Sequence, residues 1–200
     1  EKVLLGITML IISITGFIAW SAPPNNWDSL TYHMSRVEHW IQNKNISFYP
    51  TSILRQLHQN PWAEYAILHF QILSNSDHWA NIVQWFSMLG STIGVSLIAK
   101  YLGENRKTQI LVAFVSVSLP MGILQASSTQ NDYAVSFWLV CFTVFSFLLE
   151  KTQKLPYAIA TGASLGLAIL TKATAYIYAL PLTIWLFFSL FKQTKTKTVQ

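Results

Sequence analysis

Charge is scarce in this chain of 200 residues. Lys, Arg, Asp and Glu together make up 10% of it, against about 25% in an ordinary soluble domain. With 52% hydrophobic and 14% aromatic residues, the chain has too little polar surface to cover a water-facing globule, which excludes a soluble enzyme and points to an integral membrane protein. Cysteine is almost absent. Cys141 stands alone, so the chain forms no internal disulfide, and the residue reads as a small core side chain. Internal repeats are missing, and the only low-complexity stretch is the Lys/Thr-rich tail.

What is present is a series of apolar runs of bilayer length, at 3 to 20, 80 to 99, 110 to 126, 133 to 149, 157 to 171 and 173 to 191. At about 1.5 Å per residue such runs cover the hydrocarbon core as helices. The expectation is an all-α, polytopic helical bundle of about six transmembrane helices. The first run is read as an anchor. A cleaved signal peptide ending near "WSA" is the alternative, but the run is long for one and further spans follow it. Glu1 and the abrupt polar tail suggest a piece of a longer chain.

Basic residues are retained on the cytoplasmic side of short loops. With the N-terminus inside, Lys2, Lys100, Arg106, Lys107, Lys151, Lys154, Lys192, Lys195 and Lys197 all fall inside, nine of the thirteen. Arg36, Lys44, Arg55 and Lys172 fall outside. Topology thus accounts for the net charge of +5, and no nucleic-acid partner is required.

Residues 21 to 79 form an outer loop far longer than a connector needs to be, and long loops carry function. Trp20, Trp27, Trp40, Trp62 and Trp79 lie in it or at its edge, so it should lie along the headgroup layer. After Pro23 and Pro24, Asn26 is a natural cap for an amphipathic helix from Trp27 to Gln42. At about 100° per residue, Leu30, Met34, Val37 and Ile41 share one stripe, and Asp28, Tyr32, Arg36 and His39 share the opposite one. A carboxylate, a phenol, a guanidinium and an imidazole in line suit proton transfer and anion binding at the bilayer surface. An acid in a first helical turn is equally favoured by the helix dipole alone. His33 and Glu38 fall off the stripe and read as solvated, and a metal site from Asp28, His33 and His39 is disfavoured because His33 projects away. Pro50 and Pro61 divide the rest of the loop into two short helices. Asn60 and Pro61 start the second, with Glu64 in its first turn, and Arg55 and His58 are candidates to face the site. Asp77 is read as the cap of the second span.

A short polar turn, 127 to 132, falls on the same side as Asp28. Asn131 or Asp132 would cap the next span there, yet a chain with eight acids places two of them at one membrane face. Lys172, between two apolar runs, also falls on that side, where it could receive a phosphate or snorkel to the headgroups.

Together "WDSLTYHMSRVEHW", "QASSTQNDYAVSFW" and "GLAILTKATAYIYALP" resemble segments of the GT-C superfamily, integral-membrane glycosyltransferases that use polyprenyl-phosphate-linked sugars. The resemblance is to the protein O-mannosyltransferase-like and aminoarabinose-transferase-like families, N-terminal part. It implies a multi-pass protein of a bacterial plasma membrane with its active site outside, acting as a hexosyl- or pentosyltransferase on a glycan, lipid or protein acceptor. It implies Asp28 as catalytic base or as the group that orients the acceptor, and Asp132 near the sugar or, in metal-using branches, near a divalent ion. Lys172, with Arg36 or Arg55, would meet the lipid phosphate; Tyr32 and His39 from the polar stripe, and Glu64, are read from the residues themselves as substrate contacts. Many relatives carry two adjacent acids in the first loop, whereas Asp28 is followed by Ser29, which argues against a required divalent metal. The competing class is a non-catalytic transporter or lipid-binding subunit, which would show broken helices around a midplane polar site.

Overall fold

The computed structural model describes residues 1–198, with side chains described through Lys192, so the positions of Lys195 and Lys197 lie outside the described side chains. Among these residues the chain is helical and has no strand. Helix α1 (Lys2–Ser21) leads into the outer loop, which holds a π-helical turn (Ser29–His33), α2 (Met34–Asn43), α3 (Arg55–His58) and α4 (Trp62–Ser74). A 3-10 turn (Asp77–Trp79) then opens onto α5 (Ile82–Tyr101). There follow α6 (Arg106–Val117), α7 (Pro120–Ala126), α8 (Asp132–Thr152), α9 (Leu155–Thr171) and α10 (Ala175–Thr198).

Of the six expected spans, four are helices long and apolar enough to cross a bilayer: α1, Asp77–Tyr101, α8 and Ala175–Lys192. The run 110 to 126 is not one helix. It breaks between Val117 and Pro120 and bends by 69°, because Pro120 has no N–H to continue the ladder and its ring disfavours helix in the residue before it. Leu155–Thr171 is apolar but short, in keeping with its two glycines.

Small residues set the packing at the centre, as they do where helices must approach closely in lipid. Helix α5 touches α1, α6, α7 and α8, while α8 and α9 form an antiparallel hairpin. A Cβ built on Gly90 would lie 2.4 Å from Phe137, and one on Gly94 would lie 2.1 Å from Val140, so α8 sits directly on the α5 backbone. The side chains that tie the helices are mostly amides and indoles at helix ends. Asn81 Nδ2 donates to Ala22 O at 2.9 Å, Ala134 N donates to Gln84 Oε1 at 3.1 Å, and Trp85 Nε1 donates to Ile12 O at 3.0 Å. The first two of these bonds satisfy backbone groups that helix termini leave free.

Chain alternation sorts the charges. The α5–α6 and α8–α9 turns, with Lys100, Arg106, Lys107, Lys151 and Lys154, share one end of the bundle. The outer loop, the 127–131 turn and the α9–α10 turn share the other.

Gly94→Leu is expected to force α5 and α8 apart at a cost of about 1–3 kcal/mol. It should lower the melting temperature of the purified protein, whereas Gly162→Ala, inside α9 with a Cβ that meets nothing within 4 Å, should not lower it.

Candidate active site at the loop end of the bundle

Asn26 does cap the loop helix: Ser29 N donates to its Oδ1 at 2.7 Å. The helix that follows opens with a π turn, in which Met34 N reaches back to Ser29 O. A wider turn delays the phase of every later side chain, so the stripes read at α-helical spacing come apart. Leu30, expected inside, is exposed, while Met34 and Val37 are buried. His33, expected in water, is buried, while Glu38, expected there too, is partly exposed. His33 is 1% exposed with Nδ1 2.6 Å from Glu64 Oε1, and Glu38 accepts from Gln71 Nε2.

The phase change splits the expected site residues. Arg36, His39 and Glu64 turn into the loop's own packing. Arg36 donates to the carbonyls of Gln56 and Gln59, His39 stacks on Tyr49 at 4.1 Å, and Glu64 is sealed behind the π turn. His58 bonds its ring Nδ1 to Leu54 O within α3. Asp28, Tyr32, Arg55, Asp132 and Lys172 come together. The Tyr32 phenol lies within the field of Asp28, and Arg55 Nη1 lies 3.8 Å from Asp28 Oδ1, with its guanidinium 5.6 Å over the Tyr32 ring. Gln130 Nε2 donates to Asp28 Oδ2 at 3.2 Å, joining the loop to the 127–131 turn. Two residues on, Asp132 Oδ1 receives Lys172 Nζ at 2.6 Å. Neither Asn131 nor Asp132 uses its side chain as a cap. Asn131 Nδ2 instead donates to Thr171 O at 3.3 Å. Ser76, not Asp77, caps the turn before α5.

Tyr32 registers the convergence electrically. Its phenol pKa is raised to about 12, chiefly by burial, with Asp28 and Asp132 acting in the same sense and Arg55 opposing them. Two carboxylates 104 positions apart therefore act on one phenol. Raising the pKa favours the protonated phenol, which is fully present below the ordinary value of about 10 and lost only as pH climbs through about 12. The centre is open: Asp28, Asp132 and Lys172 each keep about a third of their side-chain surface or more, and Arg55 keeps 60%.

No group of three or more His, Cys, Asp or Glu side chains among the described residues is placed to hold a metal ion. Each of the two acids faces a cation instead, a donor set suited to a phosphate-bearing ligand rather than to a divalent ion. Gln130 and the His33–Glu64 pair were not legible in advance. Gln130 lay in the polar turn, read for its acid alone, and the buried pair depends on the π turn, which no residue pattern announced.

Glu64→Ala would leave the His33 imidazole buried without its partner. A loss of about 1–3 kcal/mol is expected, read as a lower melting temperature and faster proteolysis between Lys44 and Asn60.

Residues 58–199 match the family model of dolichyl-phosphate-mannose-protein mannosyltransferases. No curated protein matches the chain, and no solved structure does. The match takes in Asp132 and Lys172, whereas Asp28, Tyr32 and Arg55 precede it. With apolar helices of spanning length and a family match over most of its residues, the chain belongs to the dolichyl-phosphate-mannose-protein mannosyltransferase family and is a membrane glycosyltransferase of the GT-C type.

Proposed function

We propose that the chain moves a sugar from a polyprenyl-phosphate donor to an acceptor at the extracytoplasmic face, with inversion at the anomeric carbon and Asp28 as the base. The observation that carries this reading is the meeting of Asp28 and Asp132, each beside a cation, at the end of the bundle opposite the basic turns. Basic turns mark the cytoplasmic side, so the centre faces outward.

Each group has a task the geometry supports. The Asp28 carboxylate accepts the acceptor's hydroxyl proton as that oxygen bonds to the anomeric carbon. The bond from this carbon to the phosphate oxygen breaks, and the electron pair leaves with the phosphate. Lys172 and Arg55 offset the charge that develops there. Asp132 holds only one of the three donors of the Lys172 ammonium, leaving the others for phosphate oxygens. Arg55 is exposed and loosely held, so it can turn from Asp28 to the phosphate and free Oδ1 for the proton. Gln130 orients the carboxylate, with the Tyr32 phenol in its field.

An apolar groove suits the donor's hydrocarbon chain. It has a volume of about 450 Å³ between α4, α5 and α8, is lined by Trp62, Phe70, Phe86, Ile93 and Phe137, and begins within two turns of Asp132. The bend between α6 and α7 does not favour a transporter, because residues 108 to 126 contain no ionisable side chain to form a polar site there.

In the complete protein, Asp28→Asn is expected to lower the rate of sugar transfer from a polyprenyl-phosphate donor by about 10²–10⁴-fold. Asp132→Asn should weaken transfer while sparing insertion and melting temperature. Transfer at the normal rate by both folded variants would refute the assignment. Tyr32→Phe should slow transfer without moving the pH profile below about pH 10, because its phenol stays protonated throughout that range.

A further inference from the structure

We propose a second site in the outer loop, centred on Arg36 and separate from the Asp28–Asp132 centre, that binds a phosphate group. Arg36 is 3% exposed, yet no carboxylate lies within ion-pair distance of its guanidinium. Nε donates to Gln56 O, Nη2 donates to Gln59 O at 2.8 Å, and the guanidinium carbon lies 5.4 Å over the Trp40 ring. The remaining nitrogen, Nη1, is buried without a partner.

The same guanidinium lines a cavity of about 140 Å³, together with Trp40, Ser47, Phe48, Tyr49 and Tyr65. That space exceeds what one water needs several-fold. A buried cation held only by carbonyl dipoles retains a desolvation cost that water does not remove, and burial pulls its pKa down. An oxyanion entering the cavity would bring a negative charge to the wall that the guanidinium forms. No acid lines the cavity, so a cationic ligand finds nothing to hold it. Glu64, the acid whose field favours the Arg36 cation, meets His33 through Oε1, and its Oε2 is buried without a partner rather than paired with the guanidinium.

The ligand's source follows from the rim. Ile46 and Phe48 border the cavity and are 57% and 83% exposed, which suits a mouth at the level of lipid headgroups. A phosphate diester of an anionic lipid and free inorganic phosphate share the required chemistry. The site does not overlap the candidate centre. The cavity's lining includes none of Asp28, Tyr32, Arg55, Asp132 and Lys172.

The test is thermal unfolding of the complete protein in two settings. One is detergent with inorganic phosphate against chloride at equal ionic strength. The other is nanodiscs of phosphatidylcholine with or without phosphatidylglycerol. A ligand that binds only the folded state raises the melting temperature saturably. Wild type should show such a rise, and Ser47→Phe, which fills the cavity from an exposed wall, should abolish it without changing the ligand-free value. Leu57→Phe fills the cavity from a second wall and should do the same. A rise with inorganic phosphate identifies a free-anion site, and a rise with phosphatidylglycerol alone identifies a lipid headgroup site. No saturable rise in either setting, or an equal rise in wild type and both filled variants, overturns the proposal. Asp132→Asn should keep the cavity-dependent part of the rise even as sugar transfer falls, so the two readings fail separately.

Discussion

The pairing of α8 with α9 is the constraint on which the rest of the candidate centre depends. The two helices run antiparallel through a tight turn at Gln153, so the first residue of α8 and the residue after α9 must share an end of the bundle. Asn131 fixes that end by donating to Thr171 O, and the adjacent residues, Asp132 and Lys172, then meet at 2.6 Å. Everything else is brought to this pair. Gln130 draws in the outer loop through Asp28, and Asn60 ties the start of α4 to Ile169 O. An ion pair this exposed adds little to stability. Its significance is positional, because it keeps an ammonium and a carboxylate where a lipid-borne phosphate and sugar would arrive.

The outer loop solves a different problem. It must cover the end of a membrane bundle while presenting polar groups on one side and packing on the other, and a regular α-helix from Trp27 to Gln42 would give it a single phase. The π turn gives it two. Before the shift, Asp28 and Tyr32 face the centre. After it, Arg36, Val37 and Trp40 pack inward with Met34, against Tyr49, Ile67 and Leu68 from the rest of the loop. The buried His33–Glu64 contact bolts the turn to α4 at the residue next to Tyr32. Loop packing and site geometry are thus set by the same five residues.

Much of this was legible in the residues themselves. The scarcity of charge fixed the class, the alternating basic turns fixed which ends share a side, and the two acids with Lys172 stood out because ionisable groups are expensive beside a membrane. What stayed hidden has physical causes. The break before Pro120 was masked by hydropathy, since Leu119, Pro120 and Met121 continue an apolar run whether or not the helix bends. The fates of His33, Arg36 and His39 were misread because projecting side chains at constant pitch fails wherever the backbone changes pitch. Arg36 shows the consequence best: a residue expected beside a donor phosphate is buried in the loop, with one nitrogen unpartnered and the side chain at the wall of a separate cavity.

The most direct measurement is a structure of the complete protein with a polyprenyl-phosphate sugar bound. The account predicts the donor phosphate in contact with Lys172 and Arg55, the lipid chain in the groove between α4, α5 and α8, and the anomeric carbon presented to the Asp28 side. A donor phosphate bound among the basic turns at the opposite end, or touching neither cation, would contradict it.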